Sequence, residues 1–486
     1  MRSSRNVYGE GAVAASARAA AALMGLALAA APACVELPWR ADEAAPQDPS
    51  RPLADHSPAV PASADPPAVD RTHEYALVEL IDLAQQSNPE TREAWQRARA
   101  AAARLGQAEA VYLPSLTLVA QGGVQRESFP SPAGSFAAGG PLVEPALQFA
   151  WTLLDLSRFA DVAEARARVV EADFTFTRKH QEVLFAVARA YYAVDASQAQ
   201  LEAARATLQS ALVVEEAVQA RLEAGLATRP ELLLAREART RAAFDVEAAV
   251  GTTRAAEGAL AESVGVAPDP PLKVAFLADR GPARLASSIE EIMKATLAAR
   301  PDLKAQRAVV VARRAEERGA RGRFAPRLTL QGEGGYQVWW YESTPGARFT
   351  MSAPVLDAHL QLEWGLFQGF EDVERVHQAE AERLASEAAL TAGSLRAQRE
   401  AWTAYFDVKT AERKVEFGDS LLVASQEAYD ATLETYRRGL GTLIDLLTAE
   451  RDLASARGTA IESHTELLTA AAALTLAIGA RPPGAH

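Results

Sequence analysis

The chain has 486 residues, 49% of them hydrophobic and 23% charged, with a net charge of −13 and one cysteine. No cluster of Lys and Arg occurs, which excludes a nucleic-acid partner, since phosphate contact needs a basic patch. A single cysteine excludes an internal disulfide, and the length admits two or three domains.

Residues 1–33 read as an export signal. Arg2, Arg5 and Arg18 precede an apolar stretch, Ala19 to Ala31, that is too short to span a bilayer. Ala31-Pro-Ala33 supplies small residues for cleavage. Cys34 then stands first in the mature chain and looks like a bacterial lipoprotein acylation site, although Ala31 departs from the leucine usual there. Two readings stand: lipid attachment at Cys34, or plain cleavage that leaves a free thiol. One acyl chain anchors weakly, so it would support another membrane contact. Residues 34–73 carry many prolines and scattered acids with no apolar period, the composition of a disordered linker.

Residues 74–266 form the first of two copies of one unit. A helix is expected over 74–112, strands near 115–125 and 143–154, a long helix over 157–224 and a shorter one over 229–266. A linker at 267–287 leads to the second copy, 288–480. There the helices fall at 288–323, 370–437 and 443–479, with strands near 328–341 and 347–366; residues 481–486 form a tail. The landmarks repeat 212 to 214 residues apart. Pro89-Glu90 returns as Pro301-Asp302, Tyr112-Leu-Pro-Ser-Leu-Thr-Leu118 as Phe324-Ala-Pro-Arg-Leu-Thr-Leu330, and Leu147-Gln-Phe-Ala-Trp151 as Leu360-Gln-Leu-Glu-Trp364. So constant an offset means duplication, and a period near 200 residues is too long for a solenoid.

The strands alternate. Leu116, Leu118, Ala120 and Val124 oppose Ser115, Thr117 and Gln121; Leu328, Leu330, Tyr336, Val338 and Trp340 oppose Thr329, Gln331, Glu333 and Gln337. Apolar and polar residues alternating over about ten positions match a transmembrane barrel strand. Trp151, Trp339, Trp340 and Trp364 sit near strand ends, as interfacial aromatics do. After the signal no continuous apolar run of bilayer length remains, so a membrane-embedded chain must use strands. Four strands cannot close a barrel. Two chains would make eight, with a filled interior, and three would make twelve with a lumen, so a conducting assembly is at least a trimer. Pro354 coincides with a change of phase, because Phe349, Met351 and Ala353 take the opposite parity from Leu356, and it predicts a bulge or bend.

Each long helix would reach about 100 Å at 1.5 Å per residue. Val187, Val194, Leu201 and Leu208, with Tyr191 and Leu212 interleaved, predict a coiled-coil seam. The helices turn at Gly225-Leu-Ala-Thr228 and Gly439-Leu-Gly-Thr442, where glycine ends one helix and threonine caps the next. The seven histidines show no metal-ligand spacing, no Gly-rich phosphate loop follows a strand, and acidic residues fall on helix faces with arginine at i,i+4. Neither an enzyme nor a cofactor is expected.

These residues resemble the TolC family of outer-membrane efflux proteins over about 74 to 480. The resemblance rests on the duplicated helix–strand–strand–helix order, on Phe149-Ala-Trp-Thr-Leu153 and Leu362-Glu-Trp-Gly-Leu366, and on each turn being followed by Glu231-Leu-Leu or Asp445-Leu-Leu. It implies an α+β membrane protein whose four strands per chain join a homotrimeric 12-stranded β-barrel in outer-membrane lipid, continued by a long α-helical barrel across the periplasm. Such a protein is the passive exit duct of a tripartite pump, reached through a periplasmic adaptor protein and an inner-membrane transporter. The resemblance carries Tyr436 and Asp445, with Glu231 in copy one, to the periplasmic gate. Three copies of Asp445 around a threefold axis would repel anions and attract cations. Gly441 stands where some members have a basic residue tying the closed gate, and Arg437 or Arg438 is the expected substitute. Gly225, Leu226, Thr228, Gly439, Leu440 and Thr442 become adaptor-docking positions. The alternative is a periplasmic coiled-coil adaptor or scaffold, which would need one helical hairpin between lipoyl-like β segments. The exported substrate is not legible in the sequence, because the duct takes what the pump delivers.

Overall fold

The computed structural model describes residues 69–70, 72–131, 134–275, 288–343 and 347–480. The expected export signal, Cys34, nearly all of the expected first linker, residues 276–287 of the expected second linker and the expected tail lie outside the described residues. The chain divides into two compact units, one of strands and one of helices.

The strand unit is a four-stranded antiparallel sheet of β2 (Ser115–Ser131), β3 (Gly134–Leu154), β5 (Arg327–Ser343) and β6 (Ala347–Glu363), in the order β2-β3-β5-β6. Each copy contributes one hairpin, and the hairpins meet at β3 and β5. The first hairpin is longer than its alternation, since the ladder continues from Gln125↔Gly140 to Ser131↔Gly134. Residues 126–142, rich in Gly, Ala, Ser and Pro, carry no apolar period, yet backbone pairing extends through 126–131 and 134–142.

Register converts the alternation into two faces. Thr117, Gln148, Glu333 and Asp357 pair in turn across all four strands, as do Ser115, Ala150, Gln331 and His359. Side-chain bonds tie this polar face together: Gln148 Nε2 donates to Glu333 at 3.2 Å, and Gln121 and Gln337 both donate to Glu144, at 3.3 and 2.6 Å. The rungs of opposite parity are apolar, for example Leu118, Leu147, Gly334 and Leu356. Those side chains are exposed: Leu116 by 66%, Leu118 by 71% and Leu356 by 89%. A water-soluble sheet buries its apolar face; this one presents it outward, as a strand facing lipid must.

One expectation is corrected here. Pro354 makes no bulge, because β5 and β6 stay in one register from Arg327↔Glu363 to Ser343↔Ala347, with Pro354 opposite Tyr336. Within this sheet β6 is an edge strand, where proline is tolerated in an otherwise regular ladder. The irregularity lies instead between Thr152 and Leu154 in the β3–β5 pairing. Trp339 and Trp340, both near the end of β5, lie on opposite faces. Neighbours in a strand point to opposite faces, and Trp339 has the parity of Gln337, whose amide reaches Glu144 on the polar face. Trp151 and Trp364 are equivalent in the two copies: each indole Nε1 donates to a carbonyl shortly before the first strand of its hairpin, Tyr112 at 2.9 Å and Phe324 at 3.0 Å.

The helical unit contains α1 (Leu77–Ser87), α2 (Pro89–Glu109), α3 (Leu156–Glu223), α4 (Arg229–Val264), α5 (Ile289–Ala299), α6 (Pro301–Gly322), α7 (Glu371–Arg437) and α8 (Leu443–Ile478). A short parallel pair, β1 (Glu74–Tyr75) and β4 (Lys273–Val274), joins the start of copy one to the second linker. The 68-residue α3 and 67-residue α7 are each about 100 Å long. The helices expected over 74–112 and 288–323 are each broken in two. Proline bars the preceding residue from helical geometry, and Asn88 and Arg300 take ψ of 122° and 123°. Both breaks are used. Ser87 Oγ and Asn88 Nδ2 donate to the last carbonyls of α4, Val264 and Ser263. Buried Arg300 bonds Asp302, Glu400 and the Ala477 carbonyl of α8.

Three apolar clusters hold the unit. One gathers Leu80, Ile81, Leu184, Val187, Tyr191, Val194 and Leu260, and another gathers Val214, Val218, Leu232, Tyr429, Tyr436, Leu446 and Leu453. The third joins α5, α7 and α8 around Ala401, Val408 and Leu474. The predicted seam of α3 holds at Val187, Tyr191 and Val194, then slips back by one position. Ala211, Val214 and Val218 are buried, while Leu212 is exposed. The helix passes from the first cluster to the second, so a new set of partners decides which side is covered.

Candidate gate at the helix turns

The two turns have the same construction. Gly225 and Gly439 adopt positive φ, 73° and 79°, a conformation that other residues enter only at a cost. Leu226 N–H returns to the Arg221 carbonyl and Leu440 N–H to that of Thr435, closing the last helical turn. Thr228 and Thr442 follow as N-caps. Glu231 accepts from the Thr228 N–H at 2.5 Å and from its hydroxyl at 2.9 Å. Asp445 accepts from the Thr442 hydroxyl at 2.6 Å, and its own N–H donates to that oxygen at 3.2 Å. Glu231 and Asp445 are therefore capping-box residues of α4 and α8. The Thr228 backbone bond, then the Thr228 hydroxyl, hold the Glu231 carboxyl below the usual range, with Arg221 adding a smaller effect.

Tyr436 and Asp445 differ in environment. Asp445 is exposed and lines a groove of about 390 Å³ with Ala424, Ser425, Ala428, Thr448 and Asp452. Tyr436 is 1% exposed and sits in the cluster at the tip. Arg221, which the sequence reading missed, reaches it from the other turn. Its Nη1 donates to the Tyr436 carbonyl at 2.5 Å, its Nη2 to the Leu226 carbonyl at 3.3 Å, and its guanidinium lies 4.7 Å from the centre of the Tyr436 ring. Arg437 and Arg438, the expected substitutes for a basic residue at Gly441, are instead ion-paired to Glu434 on their own helix. Arg221 ties the turn of copy one to the turn of copy two. One signal pointed to it: the duplication has Arg221 where copy two has Thr435, and an arginine present in one copy breaks the symmetry. Leu226, Leu440 and Ile444 stand exposed around the turns. Among the described residues no group of three His, Cys, Asp or Glu is arranged to hold a metal, and no helix is long and apolar enough to cross a membrane.

The family model for outer membrane efflux protein matches residues 80–266 and 292–480, one match on each copy. The chain belongs to the outer membrane efflux protein family. It is an outer-membrane transport protein with a periplasmic helical extension. Protein CyaE of Bordetella pertussis is 31% identical over 416 residues, which cover 85% of this chain and 86% of that protein. The fold is that of solved outer-membrane channels. The structure of the outer-membrane channel OprN has a TM-score of 0.72 at 20% identity, covering 86% of this chain and 95% of that one. The outer membrane protein VceC of Vibrio cholerae has a TM-score of 0.68 at 21% identity, covering 83% and 96%.

Proposed function

We propose that three copies of this chain join their four-stranded sheets into one 12-stranded barrel, the passive exit duct of a tripartite export system. The observation that carries this reading is the sheet itself: its apolar rungs are exposed on one face, its polar rungs line the other, and β2 and β6 have one partner strand each among the described residues. An open edge demands a partner strand, and closure by identical neighbours satisfies every one. Three sheets leave a polar lumen, and two would fill it. The exposed leucines of the two turns suit docking by the hairpins of a periplasmic adaptor, which would link the duct to an inner-membrane transporter. Tyr436, Asp445 and Glu231 mark the constriction, with Arg221 holding the second tip against the first. The duct works by position and charge, with no catalytic group and no cofactor, and the residues at 74–266 and 288–480 act as its two half-staves. An adaptor or scaffold role fits poorly, because such a protein has no use for an outward apolar sheet.

The test is purification in detergent followed by mass determination and planar-bilayer recording. A stable trimer that conducts ions is expected. A monomer that stays in solution without detergent would overturn the proposal.

A further inference from the structure

The buried face of α8 recurs at spacings of three or four residues: Leu443, Leu446, Glu450, Leu453, Ala456, Ala460, Ser463, Leu467, Ala470, Leu474 and Ala477, with Leu447 buried beside Leu446. This is a coiled-coil seam, and one of its positions is a carboxylic acid. Glu450 is 6% exposed. Among the described residues no hydrogen bond or ion pair reaches its carboxyl. It lines a small cavity of about 130 Å³, bounded by Thr207 of α3, Glu237, Ala238, Arg241, Ala242 and Asp245 of α4, and Leu447, Arg451 and Ala454 of α8.

Every neighbouring element presents polar or charged groups, and none neutralises it. From α7, the Tyr429 ring is buried near Glu450. From α4, Arg241 is directed to Asp245 at 3.8 Å, and Glu237 adds like charge. Arg451 on α8 itself exerts only a through-space pull. Arg457, two turns on, is engaged with Thr207 and Gln426. A charge so placed loses its hydration and gains no partner.

We infer that Glu450 is a proton-responsive element of the helix tip: protonated, it packs in the seam that keeps α8 against α7 and the α3–α4 pair; ionised, it loosens that seam. The position suits the effect, since Glu450 lies five residues, roughly 7.5 Å, along α8 from Asp445. Burial pushes the Glu450 carboxyl up to about 7, with Arg451 opposing weakly. When the seam opens, the group returns to the ordinary carboxyl range. The closed seam therefore binds more protons than the open one between the two values. Closure is strongest below about pH 4.5, weakens as the pH rises toward 7, and is constant above that. The local opening rests on Glu450 alone. Its consequence for conductance rests also on the exit-duct reading.

The experiment is hydrogen–deuterium exchange of the detergent-purified full chain from pH 5 to pH 8.5, corrected for intrinsic exchange rates, read on peptides covering 431–455. The wild-type opening equilibrium should rise by up to tenfold per pH unit below pH 7 and level off near pH 8. E450Q should keep the protected level at every pH, and E450L, which completes the apolar seam, should behave alike. The same pH response persisting in E450Q would overturn the proposal. A flat wild-type profile would overturn it too. A normal exchange response without any matching change in conductance would leave Glu450 titrating as inferred and count against the duct reading.

Discussion

Replacing Arg221 with alanine should unfasten the two helix tips. The guanidinium makes one short bond to the Tyr436 carbonyl, one longer bond to the Leu226 carbonyl and a stacking contact with a buried ring. A hydrogen bond to a charged group contributes about 1.5–3 kcal/mol, and a cation over a largely desolvated ring about 1–2 kcal/mol. These share one side chain and do not add in full. Releasing the arginine rotamers returns about 1–2 kcal/mol. The net loss is about 2 kcal/mol per protomer, or roughly 30-fold in the local closing equilibrium. Exchange protection of residues 431–442 should fall by that factor, and the resting conductance in a planar bilayer should rise. R221K keeps a charge but lacks the planar fork and the stack, so it should recover only part of the protection. If R221A leaves both the tip protection and the conductance unchanged, Arg221 does not hold the tips, and the gate reading built on it fails.

The Tyr436 hydroxyl is buried with no hydrogen-bond partner among the described residues, so Y436F should remove an unsatisfied group and leave stability equal or about 1 kcal/mol higher. A thermal melt tests this; a Y436F channel that opens at rest would mean that the hydroxyl is bonded in the assembly. At Gly335 a Cβ would lie 2.7 Å from the Pro145 carbonyl and 2.8 Å from the Ala146 Cβ. G335A should strain the β3–β5 pairing by about 1–3 kcal/mol and lower the yield of heat-resistant oligomer on gels, whereas an unaltered yield would mean that the strands separate there freely.

Much of the helical scaffold could be read directly. Long stretches without proline set α3 and α7, and glycine followed by threonine set both turns, because helix ends depend on residues a few positions apart. The alternation of Leu116 with Thr117, or Leu330 with Gln331, gave the amphipathic strands for the same local reason. Residues 126–131 and 134–142 escaped because their pairing comes from the partner strand and not from a period of their own. The candidate gate was legible as a place, two matched turns, but its contacts were not. Arg221 and Tyr436 lie 215 positions apart, and nothing in either segment announces the other. Glu450 was passed over as one more helical acid, since only the packed seam makes its position unusual.

By itself, then, the amino-acid order determined the duplication, the long helices, the capped turns and the two-faced strands, all of which arise from interactions within a few residues of chain. Folding in three dimensions decided which rungs align across the sheet, which arginine bridges the copies and which carboxyl loses its water. Those outcomes depend on surfaces brought together from distant segments, and desolvation and register exist only once the neighbours are in place.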